Sequence, residues 1–190
     1  MSDVVSIPEL WQPVLLSTVL VWIASALIWM VLPHHKKDFK ALPDEEAARQ
    51  ALQGPSLTPG LYNIPHMESW DAAKDPAEAK KFTDGPVAFL TVLPNQPPPM
   101  GKAMVLSVLY YLVVSGIVAY LAGRTLAVGA EYLTVFRVAG TVAWLAYGFG
   151  SIPQSIWFGR PWSQQVKQLI DALVYALLTA GCFGWLWPRG

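Results

Sequence analysis

Four long apolar runs alternate with polar stretches along this chain. Residues 14–32 (VLLSTVLVWIASALIWMVL), 103–122, 132–153 and 166–187 are the runs. Each is close to the roughly 20 apolar residues whose helical rise of about 1.5 Å crosses a bilayer core. The pattern predicts an all-α membrane protein with four transmembrane helices and a mixed, mostly irregular cap between the first and second. Residues 1–32 form an N-terminal tail and first span, 33–102 a polar connector, and 103–190 the other three spans.

Small residues recur every four positions within the spans. Ser115, Ala119 and Gly123 do so in the second run, Ala139 and Ala143 in the third, and Ala172, Ala176, Ala180 and Gly184 in the fourth. Residues four apart share a helix face, and a small-residue face lets a neighbouring backbone come close in lipid. These nine are the expected helix-packing positions. The first run has a rival reading as a cleaved signal, because Ala24-Ser25-Ala26 looks like a cleavage site. The tail before it carries Asp3 and Glu9 and no Lys or Arg, and the apolar run continues to Leu32, so a retained anchor is expected.

The connector is about seventy residues long and holds eleven of the sixteen prolines, which argues against long helices there. Residues 43–52 (PDEEAARQAL) predict a short helix with its acids at the positive dipole end. Asp75-Pro76-Ala77-Glu78 starts a second one through Phe82, with Asp75 as cap and Pro76 in the first turn. Residues 87–93 (VAFLTVL) read as a short strand or a membrane-surface segment, with residues 61–64 as a possible partner. Pro97-Pro98-Pro99 is a stiff spacer into the second span. Beyond it, residues 124–131 predict a tight turn, and Pro153 marks the end of the third span or a kink. Residues 154–162 (QSIWFGRPW) predict an interfacial hairpin, with Trp157 and Trp162 at headgroup level and Arg160 and Lys167 beside phosphates.

Composition sharpens this picture. The chain is 54% hydrophobic and 14% charged, with formal net charge zero, so no nucleic-acid partner is indicated. Eight of the thirteen Lys/Arg and nine of the thirteen Asp/Glu lie between residues 33 and 102, which leaves the spans nearly charge-free. With the N-terminus outside, Lys36, Lys37, Lys40, Lys102, Arg160 and Lys167 fall inside, and Arg124 and Arg189 outside. That asymmetry predicts both termini outside and the connector in the cytoplasm. The single cysteine, Cys182, lies within an apolar run and reads as a small packing residue.

The run VFRVAGTVAWLAYGFGSIPQSIWFGRPW followed by DALVYALLTAGCFGWLWP, with PHHKKDFKALPDEEA and GPVAFLTVLP earlier, resembles a group of uncharacterised bacterial inner-membrane proteins. The resemblance covers most of the chain from Leu32 onward. It implies a bacterial inner membrane and four passes, and supplies no catalytic residues.

Candidate chemistry is sparse. His34, His35 and His66 all lie in the connector, so no span offers an axial ligand for a membrane-buried haem. No CxxCH or HExxH occurs, and adjacent histidines seldom both ligate one ion well, so no cofactor and no metal are expected. Two ionisable residues fall at membrane depth. Arg137 lies about 8 Å into the third span at helical rise and can snorkel outward. Asp171 lies about a turn into the fourth, with Lys167 four residues before it as an available ion-pair partner. In the N-out arrangement they sit in opposite leaflets. The first span has no acid, unlike small four-pass proton-coupled drug exporters, and Ser17, Thr18 and Ser25 read as helix–helix hydrogen bonders. Tyr110, Tyr111, Trp144, Tyr147 and Phe149 read as packing rather than a ligand cleft, since nothing polar converges with them.

Three classes of function survive. The leading expectation is a non-catalytic accessory or assembly subunit whose partners are lipid and other integral membrane subunits, with a homo-oligomer possible. An oligomeric small-solute transporter or channel is the alternative, supported by Arg137, Asp171 and the Gly148/Gly150 pair. A lipid-acting enzyme is weakest, because no nucleophile–base pair can be named.

Overall fold

The computed structural model describes residues 4–54 and 57–189. Asp3 of the acidic tail and the last residue, Gly190, lie outside the described residues. The chain divides into a bundle unit, residues 1–39 and 99–190, and a connector unit, residues 40–98. The boundary differs from the expected 33–102. Residues 33–39 belong with the bundle, because their side chains are tied to its last helix.

The bundle is an all-α arrangement with four helices long and apolar enough to cross a membrane: Ile7–Val31, Met100–Thr125, Tyr132–Trp157 and Trp162–Trp185. The first span starts well before residue 14. A tight turn over Ile7–Leu10 leads into α1 (Trp11–Ala26), and a wide turn over Leu27–Val31 extends it. Glu9 accepts from the Ser6 backbone N–H and from the Ser6 hydroxyl, both at 2.7 Å, which closes that first turn. Pro8 and Pro13 fit there, since the first N–H groups of a helix have no intrahelical acceptor. Leu32 is extended (φ −73°, ψ 145°), as expected of a residue before proline, and the span ends.

The connector unit contains α2 (Glu45–Leu52), β1 (Gly60–Ile64), α3 (Pro76–Asp84) and β2 (Ala88–Val92). Asp44 caps α2 by accepting from Ala47 N (2.9 Å), and Asp75 caps α3 by accepting from Ala77 N (2.8 Å). The strands pair antiparallel from Gly60↔Val92 to Ile64↔Ala88, and His66 Nδ1 lies 3.0 Å from Asn63 Oδ1 at the end of β1.

The second span is α4 (Met100–Thr125). The third is α5 (Tyr132–Gly148), which tightens over Phe149–Ser151 and continues as α6 (Ile152–Trp157). Pro153 therefore sits in the first turn of α6 rather than closing the span, a position that suits its fixed φ. The expected hairpin at 154–162 is correspondingly shorter. Phe158 and Arg160 N–H both donate to Gln154 O, Gly159 takes φ +67°, and α7 (Trp162–Trp185) begins at once after Pro161. Trp157 and Trp162 are both well exposed and flank this turn.

Successive spans run up and down, and α1 packs on α4 and α7, while α5 packs on the same two. Eight of the nine expected packing positions are buried: Ser115, Ala119, Gly123, Ala139, Ala143, Ala172, Ala176 and Ala180. At Gly184 an added Cβ would lie 2.7 Å from the Tyr132 ring. At Gly123 it would lie 2.7 Å from Val5 O, so this glycine admits the N-terminal segment rather than a helix. Val5, Leu10, Val118, Ala122, Val135, Phe183 and Trp187 fill the core at the end holding both chain termini. Mid-bundle, Ser17 and Ser115 hydroxyls meet at 3.0 Å, both fully buried. The C-terminal segment is pinned to the turn between α4 and α5: Gly129 N–H donates to Pro188 O (2.8 Å), and Trp187 Nε1–H to Ala127 O (3.0 Å).

Candidate functional site, an imidazole–carboxylate cluster

The other end of the bundle gathers most of its buried charge. Gln164, Lys167, Gln168 and Asp171 lie three and four residues apart on α7 and so share one face. Onto that face folds the chain leaving α1. A short turn over Pro33–His35 carries two adjacent imidazoles, and Asp38 follows.

His35 is the hub and is only 6% exposed. Its Nε2 lies 2.7 Å from Asp171 Oδ2, and its Nδ1 lies 2.5 Å from Asp38 Oδ2, so each ring nitrogen has a carboxyl partner. Trp29 stacks flat on the ring, with centroids 3.8 Å apart and planes 4° apart. His34 meets His35 edge-on, with centroids at 4.7 Å, and places its Nε2 3.4 Å from Asp171 Oδ1.

Lys167 is drawn into the same network. Its Nζ donates to Asp38 Oδ1 (2.5 Å) and to His34 O (2.7 Å). Gln164 Nε2 donates to Asp38 O. The Lys167 ammonium, and after it His35, hold the Asp38 carboxyl below the usual carboxylate range. Arg160 hydrogen-bonds Gln168 Oε1 (3.2 Å) and, more loosely, Gln164 Oε1 (3.5 Å), so it braces the start of α7.

The expected Lys167–Asp171 pair is therefore not formed. The i,i+4 spacing makes such a pair available, but Asp171 faces the bundle interior, where His35 reaches it. Lys167, one turn nearer the helix start, meets Asp38 instead. Arg137 is exposed on α5, and among the described residues it makes no ion pair or hydrogen bond.

Beneath the cluster lies a cavity of ≈ 170 Å³, lined by Trp29, Tyr147, Gln168, Asp171, Ala172 and Tyr175. The rings of Tyr111, Tyr147 and Tyr175 stand edge-on or tilted to one another, with centroids 5.8–6.1 Å apart. Tyr147 and Tyr175 hydroxyls are buried without a hydrogen-bond partner at ordinary distance and angle among the described residues. Polar groups thus do converge with these aromatics, contrary to the expectation from sequence.

Sequence reasoning missed the roles of His34, His35 and Asp38. Their signal is a pair of histidines and an acid directly after a span, opposite a span that opens with Lys and Asp on one face.

Searches of protein families, of curated proteins and of solved structures return no match to this chain. The cluster has to be interpreted from its own chemistry. What the fold defines is an all-α multi-pass membrane protein with four spans.

Proposed function

We propose that the protein is a non-catalytic accessory or assembly subunit of a larger complex in a bacterial inner membrane, with both termini outside and the connector in the cytoplasm. The observation that carries this reading is Arg137. It stands about 8 Å into the span on an outward face, with no ion pair or hydrogen bond among the described residues. Charges inside a membrane span are costly and are usually paired. Beside it runs an apolar groove of ≈ 190 Å³ lined by Gly140, Thr141, Trp144, Leu173, Ala176 and Leu177. Small residues and a free cation on one outward face suit a partner helix carrying a carboxylate. The asymmetry of Lys and Arg around the spans supports the orientation, and the resemblance stated above supports the bacterial membrane.

The test is native mass after gentle solubilisation at native expression level, for wild type, Arg137→Lys and Arg137→Leu. Co-migration with other membrane subunits, lost in the leucine variant and kept in the lysine one, is expected. A chain that runs alone or only as a homo-oligomer overturns the reading.

A transporter is the second reading, favoured by Asp171, which lines the cavity and contacts His35. It requires Asp171→Asn to abolish flux of a proton-coupled solute while the protein stays folded.

A further inference from the structure

The imidazole–carboxylate cluster has more donors than a structural pin needs. One hydrogen bond from His35 to Asp171 would suffice to fasten the exit of α1 to α7. Yet His34, one-third exposed, aims a second ring nitrogen at the same carboxylate from 3.4 Å. His34, His35 and Asp171 each present one donor atom, and those atoms all lie within 4.8 Å of one another.

We propose that His34 Nε2, His35 Nε2 and the Asp171 carboxylate bind one divalent first-row transition ion of the zinc or ferrous type. Two imidazoles and a carboxylate are a donor set shared by both ions. Metal–ligand bonds of about 2.0 Å put tetrahedral ligand atoms about 3.3 Å apart, close to the present His34–Asp171 separation. The 2.7 Å His35–Asp171 contact opens by roughly 0.6 Å to reach the same spacing. The ion replaces the proton between those two groups, and that proton leaves to solvent.

The surroundings of His35 are those of a metal ligand. Such a histidine usually donates its other ring N–H to a carboxylate, which fixes the ring's orientation and raises its basicity. His35 Nδ1–H does this to Asp38, and Lys167 and Gln164 hold Asp38 in turn. Trp29 blocks rotation of the ring. Asp171 also lines the ≈ 170 Å³ cavity, which leaves room for a water or another small ligand on the ion's open side. The adjacency of the two histidines, a reason to expect no metal from sequence alone, is met by the turn at Pro33–His35, which brings both rings to one carboxylate.

The experiment uses the full chain in detergent, purified on a tag free of histidine. Its metal content as isolated from native membranes identifies the ion. Co²⁺ then serves as a visible probe, displaced by Zn²⁺ or, without oxygen, by Fe²⁺. One Co²⁺ per chain is expected, with the absorption of an ion bound by nitrogen and oxygen. His34→Ala should weaken binding at least tenfold while the metal-free protein stays folded. Asp38→Asn should weaken it about 10–100-fold, as loss of an outer-shell partner does. His66→Ala should bind as wild type. Absence of stoichiometric binding overturns the proposal. So does equal affinity in wild type, His34→Ala and Asp38→Asn, variants that decide the matter even if His35→Ala fails to fold.

Discussion

His35 shows how one side chain can commit two distant segments to each other. Its ring nitrogens are bound to Asp38 and Asp171, and both partners are nearly buried. Removing one member of such a group strands the others away from water, which costs about 3–5 kcal/mol where the pair is buried. Asp171→Ala is therefore expected to lower the melting temperature in detergent markedly, and Asp171→Asn less so, because the amide still offers an acceptor to His35. Equal stability of Asp171→Ala and wild type would show that the contact holds nothing. Lys167→Met should also destabilise, because Asp38 loses the ammonium that lowers its carboxyl; thermal melts of the two variants rank the contributions. This site was only half legible in the sequence. Asp171 and Lys167 stand out as charges near a span end, and their four-residue spacing suggests each other as partners. Their actual partners lie 129 and 136 residues away. No local spacing encodes a contact that depends on which way the chain turns after Pro33.

At the scale of elements, α5 and α7 form the closest pair. A Cβ at Gly148 would lie 3.0 Å from Ala172 Cβ and 3.1 Å from Leu169 Cδ2, and one at Gly140 would lie 3.1 Å from Ala180 Cβ. Trp144 Nε1–H donates across the pair to Leu169 O (3.2 Å). Gly148→Leu and Ala180→Leu should each force these helices apart, with a loss of about 1–3 kcal/mol from overpacking. Unfolding in detergent reads the loss, and wild-type stability in both variants would refute close approach. The four-residue recurrence of small side chains made these faces visible before any fold was known. It did not say what each face meets: Ala172 and Ala180 meet α5, but Gly123 meets the backbone of Val5. A period specifies a direction around one helix and carries no address for its neighbour. Helix ends were less legible. The short turn at Phe149–Ser151 lets the third span run past Pro153, which by sequence alone marked its end or a kink, and the turn at Ile7–Leu10 starts the first span before residue 14.

For the whole molecule, an even number of crossings returns the chain to its starting side. Reporter fusions at the two termini should therefore give the same sidedness, and a reporter within residues 40–98 the opposite one. Termini on different sides would remove one of the four spans. The sequence sufficed for this level because bilayer thickness sets span length directly. It also suggested the two-stranded element of the connector, where a β-branched or aromatic residue supplies one member of each cross-strand pair from Gly60↔Val92 to Ile64↔Ala88.

The bond between His35 and Asp171 also sets a timetable. Its two residues are separated by 136 positions, and ribosomes add about 5–20 residues per second, so the first waits on the order of 10 s for the second to be made. During that interval the first helix resides in the bilayer with its exit histidines lacking their partner on α7, although Ser17 meets Ser115 once the second span is made. A nascent chain that stalls before the last helix exposes those groups to whatever surveys unassembled membrane proteins. Synthesis of the fourth span is thus the step at which His35 gains its buried carboxylate.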